Sequence, residues 1–149
     1  SENKLSNFFD KRIKIAFVLF FLTGATGSIT ALADVLFPSA SFVEGFIEDF
    51  DSTSEVLTRL RILHPFVSTI LSIFLFSESN RFKKEFAIDA SIIKVLVIVG
   101  VILGVLNVVS NIILPLSILH LLLADLLWIT YVYKAVEKAT LLKIPQNID

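Results

Sequence analysis

Residues 114–132 read Leu-Pro-Leu-Ser-Ile-Leu-His-Leu-Leu-Leu-Ala-Asp-Leu-Leu-Trp-Ile-Thr-Tyr-Val, an apolar stretch with one histidine and one carboxylate set into it. A helix of this length and apolarity can cross the roughly 30 Å hydrocarbon core of a bilayer, which places His120 and Asp125 at membrane depth. An ionisable side chain there costs a few kcal/mol unless it is paired, so it reads by default as functional. The whole chain agrees with a membrane setting: 55% of its 149 residues are apolar and mean hydropathy is +0.82, well above ordinary soluble usage.

Four apolar segments of spanning length can be marked, at about 13–36, 56–77, 92–114 and 115–134. They predict an all-α membrane protein, a single four-transmembrane-helix domain over 1–149 in the cell membrane. Lys11, Arg12 and Lys14 precede the first segment. Arg81, Lys83 and Lys84 lie between the second and third, Lys94 starts the third, and Lys134, Lys138 and Lys143 follow the fourth. By the positive-inside rule both termini are then cytoplasmic, with only Arg59 and Arg61 on the outer side. Residues 1–12 are too polar for a signal peptide's apolar region, so the first span is expected to stay in the mature protein. The tail 135–149 is polar.

The outer loop, 37–54, repeats Phe42, Phe46 and Phe50 with Val43 and Ile47 beside them, and puts Glu44, Glu48, Asp49 and Asp51 on the other side. That pattern predicts an amphipathic helix, either anchored on the outer leaflet or lying as a lid over a site. Asp34, near the outer end of the first span, reads as an interfacial residue. Ser52-Thr53-Ser54-Glu55 has the spacing of a capping box and would start the second helix there, giving Glu55 a structural role with a catalytic alternative.

No cysteine is present, which excludes disulfides and cysteine-held metal centres. The net charge of −1 gives no reason to invoke nucleic acid. The chain's other histidine, His64, lies in the second span, parallel to the fourth in an up-down-up-down bundle, and both histidines fall in the outer part of their spans. Each heads a helical stripe at +4, +7 and +11: Ser68, Leu71 and Leu75 after His64, and Ala124, Leu127 and Tyr131 after His120. The small residue one turn beyond each histidine leaves room for a flat ring. Two such histidines read as axial ligands of a haem iron, the alternative being separate hydrogen bonds to Ser or Asn on neighbours.

Arg59 and Arg61 suit haem propionates or, alternatively, lipid phosphate. Pro65 should free the carbonyl of Arg61 and bend the helix. In the first span the run Thr23-Gly24-Ala25-Thr26-Gly27-Ser28 permits close helix approach, as does Gly100-Val-Ile-Leu-Gly104 in the third. Asn107 and Asn111 are candidate partners for a buried polar group, Asp125 included. Asp125 lies about 140° around the helix from His120 and does not share its stripe.

Leu103–Asn107, Leu114-Pro115 and Leu119-His120 through Trp128 resemble the COX15/CtaA family of haem A synthases, as do the Gly27-Ser28 run, the Leu36–Ser39 turn and Arg59–Pro65. Usual members have eight helices in two related halves, each with a histidine pair on its second and fourth helices. The resemblance is to a half-length form, with His64 and His120 matching one pair. It implies oxidation of the C8 methyl of haem O to the formyl of haem A, a bound haem b, and a homodimer or higher oligomer. Where the family pattern has a glutamate three residues before the second-helix histidine and an arginine after it, this chain has Arg61 and Pro65.

The leading expectation is therefore a haem A synthase-like oxidoreductase of the respiratory chain. His64 and His120 would ligate iron, Arg59 and Arg61 would meet the propionates, and Glu55 and Asp125 are the candidate proton-handling groups, with packing the alternative for Asp125. The alternatives are a non-catalytic bis-histidine haem subunit of a respiratory complex, partnered by oxidase subunits, and a haem-free assembly or scaffold protein.

Overall fold

The computed structural model describes the backbone of residues 2–82 and 87–141, and the side chains of 11–80 and 91–137. It is helical throughout the described residues: α1 (Glu2–Leu36), α2 (Phe42–Phe50), α3 (Val56–Leu60), α4 (Leu63–Phe82), α5 (Ala87–Val109) and α6 (Leu114–Leu141). Four stretches are long and apolar enough to cross a membrane, Lys11–Leu36, Val56–Asn80, Ser91–Val109 and Leu114–Glu137. The chain is thus a multi-pass bundle in which α1 packs on α3 and α4, α4 on α5, and α5 on α6. Residues 142–149 of the polar tail lie outside the described residues. So do the side chains of Arg81, Lys83, Lys84, Lys138 and Lys143, on which the expected orientation leans.

The second span is broken, at Arg61 and Ile62. Pro65 cannot donate to the Arg61 carbonyl, which instead accepts from His64 N at 3.2 Å and from Thr30 Oγ1 on α1 at 3.4 Å. The expected capping box at Ser52–Glu55 does not form. Asp51 Oδ1 accepts from both the backbone N–H and the hydroxyl of Thr53, each at 2.8 Å, and Glu55 occupies the N-cap position of α3 with no side-chain cap bond. A capping motif does open α2, where Ser41 Oγ accepts from Glu44 N at 3.2 Å and Glu44 reaches back to Ala40 N at 3.0 Å.

The third span stops five residues before the expected 114. Asn111, at φ 59°, takes the left-handed position after α5. Ile112 N bonds to Asn107 O at 2.8 Å and Asn111 N to Val108 O at 3.1 Å, the paired bonds of a Schellman stop. Asn111 is thus spent on the turn.

Among the described residues the buried apolar cluster lies in one half of the bundle, while Ala33, Thr58 and Arg61 are buried at the other end. Ala16, Leu71, Leu75, Ile93, Val97, Tyr131 and Ala135 form the buried cluster, all toward the end remote from α2. There Phe17 and Phe20 of α1 meet Trp128 of α6 edge-on at 4.9 and 4.8 Å, and Phe20 also meets Tyr131 at 5.6 Å. Arg12 and Glu78 pair beside this cluster, with the Arg12 guanidinium 5.1 Å from the Phe74 ring. In lipid such contacts hold helices together by dispersion and polar bonds rather than by expelling water. The half that carries the histidines contributes nothing to the buried cluster.

Candidate functional site

His64 and His120 sit toward the start of their spans, and the fold brings them opposite each other across the bundle. Their ring centres are 6.5 Å apart and their planes 86° apart. Two imidazoles sharing one metal through bonds of about 2 Å, with about 1 Å from each nitrogen to its ring centre, would stand about 6 Å apart. The spacing of the ring centres therefore matches that of two imidazoles sharing one iron.

Each ring rests against a glycine of the preceding long helix. A Cβ placed on Gly27 of α1 would lie 3.1 Å from His64 Cε1, and one on Gly104 of α5 would lie 3.1 Å from His120 Cε1. The small-residue runs therefore serve as histidine seats, repeated in the two helical hairpins. Gly100 packs against Leu123, and its carbonyl accepts from His120 Nδ1 at 3.1 Å. A carbonyl can only accept, so Nδ1 carries the proton and Nε2 keeps its lone pair for a metal. Thr26 Oγ1 donates to Leu22 O at 2.8 Å and faces His64 Nδ1 at 3.5 Å, which favours the same tautomer there.

Arg61 is buried, with 7% of its surface exposed. Its Nε donates to Asp49 at 2.8 Å, Nη1 to Asp34 at 3.1 Å, and Nη2 to Glu48 at 3.3 Å. Ser39 Oγ and the Gly45 carbonyl accept from it as well, each at 3.3 Å. Its donors are thus engaged by α1, α2 and the loop between them. Asp34 is accordingly a paired residue of the bundle rather than an open interfacial one. Burial pushes the Asp49 carboxyl above its ordinary range, although the Arg61 hydrogen bond and charge pull it back. The apolar face of α2, Phe42, Val43, Phe46, Ile47 and Phe50, is exposed, while Glu48 and Asp49 point inward at Arg61.

Arg59 and Glu55 are exposed near the start of the second span, and Asp125 is exposed on α6. Asn107 accepts from Ser117 Oγ at 3.1 Å, so its partner is on α6 but is not Asp125. Among the described residues no cluster of three or more His, Asp or Glu is arranged to hold a metal ion. The seats at Gly27 and Gly104 and the carboxylates around Arg61 escape a linear reading because each joins residues distant in sequence. The acidic side of the 42–50 pattern was the one available signal for the latter.

The family model for COX15-CtaA, described as a cytochrome oxidase assembly protein, matches residues 3–132. The chain is also similar to the protoheme IX farnesyltransferases of two strains of Thermus thermophilus. Each is 30% identical over 117 residues, covering 75% of this chain and 19% of the relative. The chain thus spans about a fifth of the length of these relatives, from that 19% coverage. No solved structure matches the chain at a significant level.

Proposed function

Since the chain belongs to the COX15-CtaA family of cytochrome oxidase assembly proteins, we propose that it holds a haem between His64 and His120 and oxidises the C8 methyl of haem O toward the formyl of haem A. The observation that carries this reading is the 6.5 Å separation of two imidazoles in the half of the bundle outside the buried apolar cluster. The similarity to proteins named as protoheme IX farnesyltransferases supports a substrate that already bears a farnesyl-derived tail.

Haem iron would supply the redox chemistry when bound, with an external acceptor taking the electrons and water the source of the formyl oxygen. The chain's own residues hold and orient the ring: His64 and His120 through Nε2, with Gly27 and Gly104 fixing the imidazoles and the Gly100 carbonyl fixing one tautomer. Arg59 is the proposed cation for the propionates, since the donors of Arg61 are engaged. Glu55 and Asp125 are the carboxylates proposed for proton transfer. The chain is proposed to place both termini in the cytoplasm and α2 outside. It is further proposed to pair with a second copy, so that two four-helix units restore an eight-helix arrangement.

A binding subunit without catalysis is the second reading. It is favoured by the hydrogen bonds of the two histidines, which run to Thr26 and Gly100 and not to a carboxylate. Co-expression with a haem O synthase in a host lacking haem A decides between them. Haem A or its hydroxymethyl precursor in extracts supports the enzyme, and protohaem alone supports the binding subunit.

A further inference from the structure

We infer that the opening between α1 and α6 beside the histidines receives the isoprenoid tail of the bound ring and leads it out toward lipid, with Gly24 and Ala124 as its walls. The inference rests on the reading of His64 and His120 as haem ligands.

The two helices meet through Phe17, Phe20, Trp128 and Tyr131 in the closed half of the bundle. One turn toward α2, the same face of α1 presents Gly24, four residues after Phe20, and the same face of α6 presents Ala124, four residues before Trp128. A Cβ added at Gly24 would meet nothing within 4 Å. Ala124 is exposed, although Tyr131, two turns along the same stripe, is only 1% exposed. The bundle is therefore shut at Tyr131 and open at Ala124.

Ala124 also lies one turn after His120 on the same stripe, which places the opening beside the His120 ring. Its borders are apolar, with the Phe20 and Trp128 rings as a floor. A flat ring held by both histidines would turn one edge into this opening, and an extended apolar chain on that edge would follow it to the bundle surface. A polar substituent would gain no hydrogen-bond partner along these walls.

The test compares protohaem, which lacks the tail, with haem O, which carries it, in absorbance titrations of the purified full chain in detergent. Wild type should bind both. Gly24→Leu places a good helix former in open space, and Ala124→Leu narrows the opening from the other side. Each should weaken haem O at least tenfold relative to protohaem. Ala25→Leu, on the exposed back of α1, should change neither, and circular dichroism should show unchanged helicity. Equal binding of the two haems by both opening variants overturns the inference and leaves the histidine reading standing. Parallel loss of both haems also overturns it, because the opening would then hold the ring and not its tail. A wild-type chain that binds neither haem removes the ligand reading itself.

Discussion

The planes of His64 and His120 are close to perpendicular, at 86°, with ring centres 6.5 Å apart. The orientation follows from the seats: each imidazole lies against a glycine of a different hairpin, Gly27 or Gly104. Perpendicular imidazoles donate into different iron dπ orbitals and leave them nearly degenerate. A low-spin ferric haem held here should therefore give a strongly anisotropic electron paramagnetic resonance signal. A well-resolved rhombic spectrum of the kind given by parallel imidazoles would contradict the orientation.

Gly104→Ala and Gly27→Ala should move stability and ligation in opposite directions. Alanine favours a helix interior over glycine by about 0.5–1 kcal/mol, yet the new methyl would crowd the histidine at 3.1 Å. Thermal unfolding without haem should occur at the same or higher temperature, while the haem spectrum shifts toward high spin. An unchanged spectrum in both variants would remove the seat role.

Arg61→Ala would leave Asp34, Glu48 and Asp49 without their shared cation. Breaking a buried pair from one side typically costs about 3–5 kcal/mol, and α2 would lose its ion pairs to Arg61 at the end of α3. The expected outcome is a large drop in thermal stability and faster protease cleavage within 37–54. Stability equal to wild type would show that the cluster does not fasten the loop.

Asp49 gives a pH dependence of defined sign. Burial, with a smaller contribution from the Glu48 charge, raises its folded value against the pull of Arg61, so the folded chain binds this proton more tightly than the unfolded one. Asp49's contribution to stability is then fully present below the ordinary carboxyl value and is lost as pH rises through the raised one. In thermal melts across the acid range, Asp49→Asn should lack this part of the dependence. Parallel wild-type and variant curves would refute it.

Four spans were legible because apolar length decides a membrane helix almost alone. The amphipathic face of 42–50 was legible from its phenylalanine period. The break at Arg61 was half legible, since Pro65 showed which carbonyl would be released but not that the Thr30 hydroxyl would donate to it. The Ser52–Glu55 box failed because Asp51 forms a side-chain turn with Thr53 and the helix begins only at Val56, with Glu55 as its N-cap. The glycine seats were hidden because small-residue runs mark close approach without saying whether a helix or a side chain approaches.

Whether His64 and His120 hold one haem between them is read from the optical spectrum and haem content of the purified chain and of its His64→Ala and His120→Ala variants. Wild type should show a low-spin spectrum with one haem per chain, lost or converted to high spin in each variant. A chain without haem, or a spectrum unmoved by either substitution, would contradict shared ligation.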